Sequence, residues 1–259
     1  MAIVTLTTDL GLKDYYVGAV KGALLSVNPD INVVDISHDV SSFNILEGAF
    51  ILKNVYRDFP KNTIHIISIE STQTSTNSYV CIEFDGYFFL GPNNGIIPLV
   101  IGAKHDKAYE LPLPEDNSGL NSFPLKTVYT KIAGFLSKGG VLEGIYKPMD
   151  DLYKLVPLEP VVREGFIQGS VIYCDNYENL IVNINRDLFT EVGNGRPFKI
   201  FYHRMEYISY ICASYIDVPE GEVVALFGES GYLEIAINRD KAASLLDIKI
   251  GSSIQIEFI

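Results

Sequence analysis

The sequence predicts an α/β protein of two domains: an N-terminal α/β domain with a largely parallel sheet flanked by helices, and a smaller C-terminal all-β barrel domain. Strand-like and helix-like stretches alternate at the start of the chain with short connectors, the signature of βαβ units. From Gly165 onward the periodic stretches are almost all strand-like. Between the two, residues 147–160 carry three prolines and no clear period, as a linker does. We therefore draw the domains at 1–150 and 165–259, joined by a linker over 151–164. With 259 residues, 47 % of them hydrophobic and 20 % charged, the chain can fill two cores and is not intrinsically disordered.

Ala2 to Thr7 reads as a buried strand, with Asp9-Leu10-Gly11 as the turn after it. From Asp14 to Val27 the residues Tyr16, Val17, Val20, Ala23, Leu24 and Val27 fall on one helical face, and Asn28-Pro29-Asp30 stops the helix. Asn32 to Ser37 is the second strand, Asn44 to Arg57 an amphipathic helix ended by Pro60, and Thr63 to Ile69 the third strand. Tyr79 to Phe84 and Tyr87 to Leu90 flank Asp85-Gly86, a strong hairpin signal. Thr127 to Ser137 is helix-like and runs into Lys138-Gly139-Gly140. In the second half, Phe166 to Cys174, Leu180 to Asn185, Phe198 to Tyr202, Val223 to Phe227, Tyr232 to Ile237 and Ser253 to Phe258 read as strands, and only Lys241 to Leu246 as helix.

Composition excludes several functions. Lys+Arg total 20 against 32 Asp+Glu, a net charge of −12, so a polyanion such as nucleic acid is not an expected partner. No apolar run is long enough to span a bilayer, and the opening MAIVTLTTDLG has no basic leader, so a cytoplasmic protein without membrane attachment is expected. Cys81, Cys174 and Cys212 are widely spaced in apolar stretches and read as buried free thiols of a reducing compartment. The four histidines lack zinc-site spacing and there is no Cys-x-x-Cys, so no metal site is expected. Gly-x-Ser-x-Gly, the P-loop and Gly-x-Gly-x-x-Gly are missing too.

Open α/β sheets bind ligands at the carboxyl ends of their strands. Here those ends carry Thr8-Asp9, His38-Asp39 and Glu70, and the carboxylates suit ribose hydroxyls or a cation as well as solvent or a helix cap. The polar run from Ser71 to Ser78 is a surface loop or an active-site loop. Asp175-Asn176-Tyr177-Glu178-Asn179 offers a carboxylate, a ring for stacking and an amide for a heterocycle edge, and reads equally as a turn or a site. Gly228-Glu229-Ser230-Gly231 reads as a hairpin turn or as a backbone nest for an anionic group.

Thr7-Thr8-Asp9-Leu10-Gly11, followed by Asp14 to Gly22, resembles the opening of the S-adenosyl-L-methionine (SAM) hydroxide adenosyltransferase family, to which the SAM-dependent fluorinase and chlorinase are related. The resemblance continues, collinearly, through Val34 to His38, Gly91-Pro92-Asn93-Asn94-Gly95, Asp175 to Asn179 and Ser230 to Asn238. It implies a homotrimer with SAM, the substrate, between neighbouring subunits, no cofactor, and attack of water on the ribose C5′ to give adenosine and methionine. A sulfonium is already a good leaving group, so such a site must mainly hold a desolvated nucleophile in line. By resemblance Asp9 binds the ribose hydroxyls and Phe43 walls the sugar. Asp175 faces the methionine amine, Tyr177 and Tyr215 flank adenine, Asn179 reads the adenine edge, and Ser230 lies near the methionine carboxylate.

The catalytic positions depart from the family pattern. SAM hydrolases resemble one another in an Asp-Pro-Gly-Val-Gly loop, a following arginine and a Phe-His-Gly-Arg-Asp block, whose Asp, Arg and His activate water. Here Glu70 takes the aspartate position, Asn77 or Ser78 the arginine position, and Pro124 the histidine position. Leu125 replaces the halogenase serine, so halogenation is not expected. The departures leave three expectations: hydrolysis with Glu70 as the general base, its basicity raised by burial at the sheet end; a homologue that binds SAM or adenosine without turnover; or attack on C5′ by another nucleophile.

Overall fold

The computed structural model describes residues 2–71, 78–102, 104–112, 123–203 and 205–259. The chain divides into two compact units, residues 1–156 and 157–259.

In the first unit the strand β1 (Ile3–Thr8) is buried along nearly its whole length, its threonines included, as a parallel strand covered on both faces must be. It pairs in parallel with β2 (Asn32–Ser37) on one side and β3 (Ile64–Ser68) on the other, and β3 pairs in parallel with β5 (Tyr87–Pro92). Beyond β5 the direction changes. β4 (Tyr79–Phe84), β6 (Lys107–Leu111) and β7 (Lys147–Pro148) extend the sheet by antiparallel pairing, giving the order β2-β1-β3-β5-β4-β6-β7. The sheet is therefore mixed; the alternating segment builds β1, β2 and β3 of its parallel half, and the hairpin strand β5 completes that half. The β4–β5 turn uses positive φ at both Asp85 (49°) and Gly86 (75°), the conformation that favours this dipeptide in a two-residue hairpin.

Helices cover both faces of the sheet. α1 (Tyr16–Val27) and α4 (Thr130–Ser137) bury Val20, Leu24, Ile132 and Leu136 against Leu6, Ile64 and Ile66. α2 (Ile45–Lys53) and α3 (Ile96–Ile101) bury Leu52, Ile96 and Ile97 against Ile67, Ile69 and Phe89 on the opposite face. Three elements differ from expectation. α2 stops at Asn54, whose side-chain amide donates to the Phe50 carbonyl, and the chain continues as a 3₁₀ turn over Tyr56–Asp58 instead of reaching Arg57 as helix. α3, short and interrupted by Pro98, has too little length to show a period. α4 is preceded by a π-helical turn, Leu125–Tyr129, that begins at Pro124.

The second unit is an antiparallel sheet of eight strands: β8 (Val161–Arg163), β9 (Phe166–Cys174), β10 (Leu180–Asn185), β11 (Phe198–Phe201), β12 (Tyr207–Ile208), β13 (Val223–Phe227), β14 (Tyr232–Ile237) and β15 (Ser253–Phe258). Its path runs β12-β11-β15-β9-β10-β14-β13, with β8 paired to β9. One parallel bridge, Cys212 to Leu226, joins the chain after β12 to β13 and brings the two ends of the path together in a nearly closed barrel. Alternation in β15 points Ile254, Ile256 and Phe258 inward, where they meet Ile167, Val182, Ile200 and Ile235. Here too the periodicity missed an element: α5 (Arg186–Gly193) begins at Asn185, whose Oδ1 accepts from Leu188 N at 2.8 Å, and ends at Asn194 in the left-handed region. The helix expected over 241–246 is α6 (Ala242–Leu245). Cys81 is buried, Cys174 and Cys212 are half-buried, and all three are free thiols.

Candidate active site

In the first unit the carboxyl ends of β1, β2 and β3 form a polar rim. Thr8, the last residue of β1, bonds through Oγ1 to His38 Nδ1 at 2.8 Å, tying the ends of β1 and β2. His38 Nε2 lies 3.1 Å from Asp35 Oδ1, outside straight hydrogen-bond geometry, and Asp35 also holds Lys21 at 2.6 Å. Partial burial works to raise the Asp35 carboxyl, and the Lys21 and His38 contacts outweigh it and keep it below its usual value. Gly11 donates its N–H to the His38 carbonyl at 2.7 Å from a left-handed backbone (φ 67°), which closes the loop that carries Asp9.

Asp9 and Phe43 meet directly: Asp9 Oδ2 accepts the Phe43 N–H at 2.9 Å. Phe43 is 68 % exposed and holds φ 65°, a left-handed conformation costing a non-glycine residue about 1 kcal/mol. The Asp9 hydrogen bond offsets that strain and holds the backbone from which the exposed ring projects. Glu70 follows β3 at the same sheet end, also with left-handed backbone (φ 47°). It is exposed, so the burial expected of it at the sheet end is not supplied by this unit. Behind it the Ser68 and Ser71 hydroxyls bond at 2.8 Å. Asn77 lies outside the described residues. Pro124 is buried at the start of the π turn and Leu125 is part of the core, so neither brings a polar group to the rim.

The glycine- and asparagine-rich stretch after β5 is a clasp. Asn94 donates to the Ile69 carbonyl at 3.1 Å and accepts from Ile96 N, while Asn93 accepts from Tyr153 N at 2.9 Å. Gly95 (φ 93°) lies so close to Leu155 that a Cβ there would come within 2.7 Å of its side chain.

In the second unit Asp175 closes its own turn. Its Oδ1 accepts from the N–H groups of Tyr177 (2.9 Å) and Asn179 (2.8 Å), and its Oδ2 from Asn179 Nδ2 at 3.0 Å. Asn179 is only 7 % exposed, and with its amide nitrogen held by Asp175 its carbonyl oxygen is left to accept from a ligand. Tyr177, within the same turn, is 74 % exposed. Gly228 to Gly231 forms the hairpin between β13 and β14, and the Gly228 and Gly231 N–H groups are already given to the Tyr232 and Gly228 carbonyls, leaving few donors for a nest. Ser230 Oγ accepts weakly from Tyr232 N at 3.4 Å.

Tyr215 sits on a 3₁₀ turn, Tyr215–Asp217, pinned because Asp217 Oδ2 accepts from Ala213 N and Ser214 N. Its hydroxyl donates to Glu234 Oε1 at 2.6 Å. Burial and then Glu234 push the Tyr215 phenol well above its usual value, so it keeps the proton it donates. Burial also pushes the Glu234 carboxyl up; the Tyr215 hydrogen bond pulls it down, and the nearby Asp175 charge pushes it up again, for a net rise.

Residues 4–146 match the model of the SAM hydroxide adenosyltransferase N-terminal domain and residues 169–255 that of its C-terminal domain. The chain belongs to the SAM hydroxide adenosyltransferase family. A relative named (R)-S-adenosyl-L-methionine hydrolase, from Methanocaldococcus jannaschii, is 28 % identical over 98 % of this chain and 95 % of its own. A fluorinase from Nocardia brasiliensis is 25 % identical over 98 % and 96 %. The crystal structure of an uncharacterized conserved protein from Thermotoga maritima superposes with a TM-score of 0.88 at 26 % identity, covering 98 % of this chain and 99 % of that one.

Within this SAM hydroxide adenosyltransferase family chain, Asp9 and Phe43 are in contact, Glu70 shares their sheet end, and Asp175, Tyr177 and Asn179 share one turn. Sequence reading passed over Glu234. Its one signal is a carboxylate inside an otherwise apolar strand, Tyr232–Ile237. Among the described residues no group of three or more metal-type ligands occurs, and no helix is long and apolar enough to cross a membrane.

Proposed function

We propose that this chain is a SAM hydrolase: water attacks the ribose C5′ of SAM, the C5′–S bond breaks, and adenosine, methionine and one proton are released. The observation that carries the reading is the Asp175–Asn179 turn, in which Asp175 holds the Asn179 amide nitrogen and so keeps its carbonyl oxygen as an acceptor, two residues from an exposed tyrosine. Asn179 accepts from the adenine amine, Tyr177 and Tyr215 cover its faces, Asp175 faces the methionine amine through its remaining lone pairs, and Ser230 lies near the methionine carboxylate. Asp9 keeps Oδ1 for the ribose hydroxyls while Oδ2 holds Phe43 against the sugar. Glu70 takes the proton from water. No metal or cofactor enters, because the sulfonium needs no Lewis acid to leave. We further propose a cytoplasmic homotrimer with SAM bound between subunits, the neighbour supplying the desolvation that Glu70 lacks within its own unit.

Incubating purified protein with SAM and separating the products tests this. Adenosine and methionine should appear in equal amounts, in proportion to protein, and Glu70→Ala should slow their formation by about 100-fold or more. The exposed Glu70 and the buried Pro124 favour a second reading, a homologue that binds SAM or adenosine without turnover. Binding by calorimetry with no product would establish that reading. A full rate in Glu70→Ala would remove Glu70 as the base.

A further inference from the structure

We propose that Glu234 is a positioning residue of the adenosyl site: it fixes the Tyr215 hydroxyl, and thereby the plane of the ring, an inference that rests on reading Tyr215 as a wall of the adenine. Glu234 lies in β14 between Leu233 and Ile235 and is 8 % exposed. A carboxylate taken out of water needs a compensating partner, and a strand in a barrel wall folds at least as well with an apolar residue there. Among the described residues no cation pairs with Glu234; its hydrogen-bond partner is the Tyr215 hydroxyl. The same glutamate feels the charge of Asp175, so it stands in the field of the turn that holds Asn179.

The surroundings are arranged around this contact. Asp217 holds the backbone of the Tyr215 turn and Glu234 holds the far end of the side chain, so both ends of a half-exposed tyrosine are fixed. At Gly228 a Cβ would come 2.8 Å from Glu234 Oε2, so the hairpin leaves room for the carboxylate in this rotamer. A ring held in place before the ligand arrives loses no rotamer freedom on binding, and that difference appears as affinity.

The test is calorimetric binding of SAM and of adenosine to the full chain, with KM and kcat measured wherever turnover occurs. Glu234→Ala should weaken both ligands about tenfold, the loss of a hydrogen bond to a charged group, and raise KM while kcat holds. Glu234→Gln still accepts from the Tyr215 hydroxyl and should restore affinity to within about threefold of the parent. Tyr215→Phe should match Glu234→Ala, and the double variant should be no weaker than either single one, because both remove the same contact. Unchanged affinity in Tyr215→Phe, or losses that multiply in the double variant, overturn the proposal; Tyr215→Phe and Glu234→Gln decide it even where Glu234→Ala does not fold. Asn179→Ala separates the two readings. If it leaves adenosine binding intact the adenosyl site itself is misplaced, whereas loss there with none in Tyr215→Phe overturns Glu234 alone.

Discussion

Asp175 shows how one side chain builds a site from its own loop. Its carboxylate gathers two backbone N–H groups and the Asn179 amide, so the residue that shapes the turn also orients the acceptor offered to a ligand. Asp175→Ala removes all three bonds at once. It should destabilise the fold by about 1–3 kcal/mol in urea denaturation and abolish measurable adenosine binding; wild-type affinity in the variant would show that the turn is held some other way. This cluster was legible in the sequence because Asp and Asn at close spacing carry local turn chemistry. Glu234 was not, since its meaning depends on a tyrosine 19 residues away that only the folded barrel brings to it. Glu70 was legible as a strand-end residue, but its exposure depends on the left-handed turn at that residue, which no sequence pattern announces.

Among the elements, β1, β2, β3 and the Asp85-Gly86 hairpin follow directly from apolar runs and turn residues. α3 and α5 escaped for different reasons: α3 is a six-residue apolar run containing a proline, and α5 is a short polar helix whose start depends on the Asn185 cap. β3 also carries an unusual residue for a strand buried on both faces. His65 is fully buried, stacked on Phe89 at 5.2 Å and bonded through Nδ1 to Thr5 Oγ1. Burial pushes its imidazole down to about 4 from 6.5. The unfolded chain therefore takes up a proton as the pH falls through 6.5, while the folded chain resists until about 4, so stability is lost across that window. The loss amounts to about 3 kcal/mol when complete. His65→Phe keeps a stacking ring but cannot titrate, and its denaturation midpoint should fall less steeply between those two pH values. Parallel curves for the two proteins would place the acid sensitivity elsewhere.

For the molecule as a whole, the bridge at Cys212 has a consequence for self-association. A barrel hides the raw edges of its sheet, and an open sheet presents them as templates for another chain. Here the end strands of the path are short, and the seam is held by the Cys212 N–H donating to the Ala225 carbonyl at 2.8 Å. A net charge of −12 per chain supplies a second safeguard, because it works against non-specific association until salt screens it. Cys212→Pro deletes the donor and should leave the protein monodisperse at low ionic strength but prone to scattering light as salt is raised, while the parent stays clear under both conditions. If the variant also stays clear in salt, the seam is guarded by more than this bridge. Otherwise the Cys212 bridge is part of what keeps a nearly closed barrel from presenting an adhesive sheet edge.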